Sequence, residues 1–242
     1  MENLRIPKKL ENCPLKEVVL EIRFESNMPS DAIFGVIYSK VSSFFDTTER
    51  LPITQLPEDI KENDPGLKYK AHFKLQKDNL SLNIGPRSIS FNNLDNYIGW
   101  SDFRAFFQKH LDQIMKIDIF DKVERVGLRY INIFYDTILD NLNLEIKMAE
   151  DILEKQSVNL NVDFEENEFL KKVKIGNKVG IMTKTGVSRN SIIDIDYIMK
   201  IEKSKTFLED PYSKIEEMHQ KEKEYFFGLL KEDFLSKLGP TY

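Results

Sequence analysis

The run VERVGLRYINIFYD, residues 123–136, constrains the chain most, because it is the longest unbroken stretch of strand-forming residues in the sequence. In an extended strand Val126, Leu128, Tyr130 and Phe134 fall on one side and Arg125, Gly127 and Arg129 on the other, since successive side chains point to opposite faces. A strand patterned in this way belongs near the middle of the molecule with one face on a core. Asn132 shares the apolar side, where an unbonded amide costs on the order of 1–3 kcal/mol. It is expected to satisfy a helix or loop backbone group, or to meet a ligand. A bulge after Gly127 would shift the register and turn Asn132 outward.

The first half of the chain reads as strand, helix, three strands, helix. Residues 16–25, KEVVLEIRFE, alternate, with Val18, Leu20, Ile22 and Phe24 on one face and Glu17, Glu21, Arg23 and Glu25 on the other. Pro29, Ser30 as N-cap and Asp31 in the first turn open a helix whose buried stripe is Ile33, Ile37, Val41, Phe44 and Phe45. Residues 47–66 hold Pro52, Pro57, Pro65 and Gly66 and read as a long loop. Strands follow at 67–76, 80–84 and 88–92, separated by the turn signals at 77–79 and 85–86. Ser101 then caps a helix with Phe103, Phe106, Phe107, Leu111 and Ile114 inside.

The second half predicts the same order again. It has the strand at 123–136, a helix around 144–154, and strands at 169–175, 178–183 and 191–201 with turns at Gly176-Asn177 and Thr185-Gly186. A long helix at 211–238 follows, with Asp210 as N-cap, Pro211 at its first position and Gly239-Pro240 as its stop. Segments 156–167 and 203–210 read as polar connectors. The expected fold is α+β: two pseudo-repeated βαβββα units, 15–117 and 122–240, in a single pseudo-symmetric body, 1–242. Antiparallel sheets carry helices packed on one face and leave the other open, and the chain closes on a long C-terminal helix. The repeat rests on element order alone, because the halves share negligible sequence identity.

Composition narrows the function classes. Of 242 residues, 41% are hydrophobic, enough for a core. A net charge of −5 and a pI near 5.4 give no bulk attraction to phosphate backbones or anionic lipid, so nucleic-acid binding would need a local patch. A single cysteine, Cys13, excludes an intramolecular disulfide and a Cys-rich zinc site. No apolar run resembles a signal peptide or a membrane span, and the expected location is the cytoplasm.

The chain contains no GxxxxGK[ST], GxGxxG, HExxH, GxSxG or CxxC motif. His72, His110 and His219 are its only histidines, and none stands at metal-ligand spacing from another. The best constellation is polar residues on strands: Glu21 and Arg23 on the first, Arg129 on the central one, and Asp194 and Asp196 on the last, which project away from Ile193, Ile195 and Tyr197. Two readings stand side by side. Glu21, Asp194 and Asp196 hold a magnesium ion while Arg23 or Arg129 meets a phosphate, or the charges pair across strands, each pair worth about 0.2–1 kcal/mol. His219, beside Met218 and at helical spacing from Ile215, Glu222 and Phe226, reads as a packed or hydrogen-bonded histidine, with a catalytic role as the alternative. The run KIEEMHQKEKE, residues 214–224, reads as a solvated helix face suited to a partner helix.

PLKEVVLEIRFE near the start, NYIGWSDF before the second helix, RVGLRYINIF in the middle, SIIDIDY late, and a last helix with His219 followed by Phe226 resemble an uncharacterised, sporadically distributed bacterial family of about this length. GLRYIN is the most specific part. The resemblance carries no biochemical activity; it implies a setting among mobile-element and phage-defence genes. The expected function is therefore a non-catalytic binding or regulatory protein without a cofactor, acting through a protein partner or self-association by its open sheet face or its last helix. The alternative is a magnesium-dependent enzyme acting on a nucleotide or nucleic acid through Glu21, Asp194 and Asp196.

Overall fold

A computed structural model describes residues 5–183, 186–200 and 206–242. The protein is α+β, with a large antiparallel sheet and, among the described residues, five helices that include a C-terminal one. No described helix is long and apolar enough to cross a membrane. Contacts divide the chain into two compact units. The early unit is Glu17–Leu128 with Ile198–Tyr212; the late unit is Met1–Lys16, Arg129–Tyr197 and Ser213–Tyr242.

After β1 (Lys9–Leu10) come β2 (Leu15–Glu25), α1 (Ser30–Val41), β3 (Thr47–Arg50), α2 (Glu58–Asn63), β4 (Phe73–Lys77), β5 (Leu80–Ile84), β6 (Ser88–Leu94), α3 (Trp100–Met115) and β7 (Lys122–Phe134). In the early unit the strands neighbour one another in the order β7-β2-β6-β5-β4-β3. The alternation read in β2 holds, because Val18, Leu20, Ile22 and Phe24 are fully buried. Leu20 lies opposite Phe91 and Ile22 opposite Ile89 of β6. Phe106 and Phe107 of α3 then pack their rings against Phe91, at centroid distances of 5.8 and 6.4 Å. His110 is buried among Phe44, Phe45 and Phe106, and burial pushes its imidazole down to about 4.

The stretch 47–66, expected to be loop, holds both β3 and α2. The strand expected at 67–76 begins only at Phe73. Before it, Lys70 N–H bonds back to the Leu67 carbonyl (2.8 Å) in a turn, and His72 N–H reaches the Ile84 carbonyl (2.8 Å). That turn crosses the β5–β6 connection at close quarters, where the Ser88 hydroxyl donates to the Tyr69 carbonyl (2.7 Å).

The late unit continues with β8 (Lys147–Met148), β9 (Asp151–Ile152), β10 (Val158–Glu165), β11 (Phe169–Thr183), β12 (Gly186–Met199), α4 (Pro211–Leu229), α5 (Glu232–Lys237) and β13 (Pro240–Thr241), which pairs antiparallel with β1. Its strand order is β10-β11-β12-β7. Ile193, Ile195 and Tyr197 of β12 are buried with Phe169, Val173 and Ile175 of β11, and α4 contributes Ile215, Met218 and Phe226 to the core.

Four expectations fail here. Residues 144–154 form the β8–β9 hairpin rather than a helix. Asn143 just before it is pinned to the end of α4, its side-chain amide donating to the carbonyls of Gly228 and Leu230 (3.0 Å each), and tertiary bonds of this kind override local propensity. The element order of the second half therefore departs from that of the first at this point. Gly176-Asn177 is no turn. β11 runs through it with Lys178 at φ 51°, and buried Asn177 accepts from Ile138 N–H (2.7 Å) while donating to the Gln156 carbonyl (2.8 Å). The connector expected at 156–167 contains β10, which pairs with β11 from Val158 opposite Asn177 to Glu165 opposite Leu170. The last helix also breaks, because Lys231 N–H leaves its ladder to reach the Asn141 carbonyl (2.9 Å). Thr185 and Ile201, expected at a turn and a strand end, lie outside the described residues.

A Cβ on Gly85 would lie 2.6 Å from the Lys70 carbonyl oxygen, a contact with backbone that no rotamer relieves. Gly85→Ala is expected to destabilise the protein by about 1–3 kcal/mol in urea denaturation. An unchanged midpoint would contradict the close packing of this crossing.

Candidate functional site

The strand residues singled out in the sequence fall into two clusters, each within one unit. In the early unit, Arg23 grips its β2 neighbour Glu21 through Nε (2.8 Å) and Nη2 (3.3 Å). Arg125 of β7 donates to the same Glu21 carboxylate. A Cβ on Gly127 would stand 2.7 Å from the Arg125 guanidinium, so the glycine leaves that group room to lie along the strand. Tyr69 stacks with Arg23, 4.6 Å from guanidinium to ring centroid, and donates its hydroxyl to Glu124 (2.9 Å). Two guanidiniums thus occupy the lone pairs that Glu21 would offer a cation.

In the late unit, Arg129 holds Asp194 through two parallel bonds of 2.6 Å, Nε to Oδ1 and Nη2 to Oδ2. The Asp194 side chain is 6% exposed and the Arg129 side chain 40%, so a buried carboxylate is neutralised from the solvent side. Asp196 shares that face of β12 two residues on. Among the described residues, no group of three or more His, Cys, Asp or Glu side chains is arranged to hold a metal ion.

A second set of polar groups lies inside the late unit. Asn132 is buried on the same side as Tyr130 and Phe134, so the alternation of β7 continues and no bulge turns it outward. Its side chain makes no hydrogen bond with another described residue. Tyr130 Oη and His219 Nδ1 share a hydrogen bond of 2.8 Å. His219 and Glu222, three residues apart, lie on one face of α4, and the Tyr130–His219 bond sets that face against the Tyr130–Asn132 face of β7. Burial, with Lys223 nearby, lowers the His219 imidazole to about 3, and burial raises the Glu222 carboxyl to about 8. At neutral pH the set is uncharged: an imidazole, a carboxylic acid, a phenol and an amide. It can donate and accept hydrogen bonds without carrying charge.

Sequence reasoning reached Asn132 and His219 but missed Tyr130 and Glu222. A tyrosine on an apolar strand face carries a hydroxyl that seeks a buried partner, and that signal was present. Glu222 is hidden inside a run that reads as a solvated helix face.

The β8–β9 hairpin is the other candidate. Lys147 lies opposite Ile152 and Met148 opposite Asp151, and Leu153 N–H closes the ribbon on the Ile146 carbonyl (2.9 Å). Opposed residues share a face, so Met148 and Ile152 point to opposite sides; they are 67% and 50% exposed. Ala149 in the turn has φ 53°, the left-handed region that an L side chain rarely adopts.

Comparison of the chain with known protein families and with curated proteins gives no match.

The two shifted groups make stability depend on pH in a defined way. Glu222, raised from 4.5 to about 8, contributes stability that is complete below pH 4.5 and lost as pH rises through 8. His219, lowered from 6.5 to about 3, contributes stability that is complete above pH 6.5 and lost as pH falls through 3. Between pH 6.5 and 8, Glu222 is the member of the pair that changes, and stability is expected to fall there by up to about 1.4 kcal/mol per pH unit. Glu222→Gln should flatten that decline in urea unfolding at the two ends of the window, and a slope that survives the substitution would contradict the assignment.

Proposed function

We propose that the chain is a non-catalytic binding or regulatory protein that works through protein–protein contact, with the β8–β9 hairpin as the contact element. One observation carries this reading: a two-stranded ribbon exposed on both faces presents Met148 and Ile152 to solvent. Such a ribbon is marginal in water on its own. Covering its two apolar side chains would gain about 1.5–3 kcal/mol each. The left-handed Ala149 costs roughly 1–2 kcal/mol, the kind of local strain that persists where function uses it.

The partner that fits is a protein with an apolar groove wide enough to take both faces of the ribbon. The family resemblance supports a setting in the bacterial cytoplasm, beside the product of a neighbouring phage-defence or mobile-element gene. A duplicated origin, one βαβββα unit in each half, fits this reading if the hairpin replaced the first helix of the second copy. The magnesium-enzyme reading would require Glu21 and Asp194 to leave the arginines that hold them.

Tagged protein purified from its host with and without Met148→Asp/Ile152→Asp tests the proposal. The wild type is expected to retain a stoichiometric protein partner that the double variant loses, with the melting temperature of the purified chain unchanged because both side chains are exposed. Equal retention of that partner by the double variant would sink the idea.

A further inference from the structure

The early unit contains a cleft of about 250 Å³ whose described lining includes Lys61, Lys68, His72 and Arg87, with Ser30 and Asn63 beside them. Among the described residues, no carboxylate lines this part. The chain as a whole is acidic, at −5, so a pocket of this sign departs from the charge of the molecule around it. Lys61 is 7% exposed, an unusual position for a lysine, and brings its charge into the wall of the cleft. The cleft is built by tight features. Gly85 admits the Lys70 carbonyl, the Ser88 hydroxyl ties down the Tyr69 carbonyl (2.7 Å), and His72 N–H is fixed to the Ile84 carbonyl (2.8 Å). Lys68 and His72 are therefore held on backbone anchored to the β5–β6 turn that carries Arg87. Lys68, which lines the cleft, also approaches Glu124 at 3.9 Å and lies 4.9 Å from the Tyr69 ring centroid.

A smaller recess of about 110 Å³ adjoins the cleft and shares Ser30, Lys61, His72 and Pro86 with it. Phe34 and Phe73 line it, stacked on each other at a centroid distance of 3.7 Å, together with Arg50 and Asp31. One end of the combined cavity thus suits a multiply charged anion, and the other offers aromatic surface to a planar ring. Ser30 opens the 12-residue α1 at the point the two parts share, and no side chain caps that helix, so its first-turn amides add partial positive charge there.

We propose that this cavity binds a nucleotide, its phosphate between Lys61, Lys68, His72 and Arg87 and its base against Phe34 and Phe73. Arginine and lysine together give a phosphate both bidentate and point-charge contacts, and the aromatic recess adjoins the cleft through shared lining residues. Three cationic side chains and an imidazole in one described lining suit an anion better than a neutral polar ligand.

Calorimetric titration of the full chain with inorganic phosphate and, separately, with AMP tests the assignment. Both ligands are expected to bind and to compete, with AMP tighter by about tenfold or more. Arg87→Glu places a carboxylate at a half-buried turn position in the cleft wall, and its melting temperature reports whether the fold tolerates it. It is expected to weaken both ligands by about tenfold or more, the loss of a charge-assisted contact. Phe34→Leu is expected to remove the advantage of AMP while leaving phosphate binding intact. Absence of binding by either ligand at millimolar concentration overturns the proposal, as does equal affinity in Arg87→Glu with an unchanged melting temperature. Phosphate binding with no gain for AMP overturns the nucleotide assignment and leaves an inorganic-anion site.

Discussion

Arg125 and Arg129 project from one side of β7, and each reaches a carboxylate on a neighbouring strand: Glu21 of β2 and Asp194 of β12. The other side of β7 buries Val126, Leu128 and Tyr130. Apolar burial fixes the register of the strand, since a slip of one residue would drive arginines into the core. The guanidiniums then decide what the polar face can do. A charge-assisted bidentate pair is roughly twice as strong as a neutral hydrogen bond, although the exposed Arg129 side chain loses part of that to solvent. Carboxylates held in this way have their oxygens engaged by guanidinium donors.

Much of this was legible from residue order. The alternation of β2 and β7 placed their core side chains correctly, and it placed Asn132 inside. It put Glu21, Arg23 and Arg129 on the opposite face, and the alternation of β12 did the same for Asp194 and Asp196, although Asp194 is buried there. Whether those charges pair or coordinate depends on distances between strands far apart in sequence, such as the 65 residues separating Arg129 from Asp194, and single-strand periodicity carries no such information. The same limit hid the Tyr130–His219 bond, which joins residues 89 apart.

The failures have local causes of one kind. At residues 144–154, at Gly176-Asn177 and at Lys231, the backbone follows a hydrogen bond to a distant segment rather than its own propensity. β10 was passed over because its residues 158–165 alternate half-buried apolar groups with Asn and Asp at a sheet edge, which reads as connector. The basic cleft escaped notice because its lysines and arginine lie in the proline-rich stretch and in turns, where only the tertiary crossing at Gly85 brings them to one wall. The hairpin and the cleft, where local reading failed, are also where the functional proposals fall.

The most direct measurement of whether the strand-face charges are structural is a double-mutant cycle on Arg129→Met and Asp194→Asn, read by urea unfolding with and without magnesium. The expected result is a coupling energy of about 1.5 kcal/mol or more that magnesium leaves unchanged. A coupling near zero, together with a magnesium-induced stabilisation of the wild type that Asp194→Asn abolishes, would contradict it and return these carboxylates to the role of metal ligands.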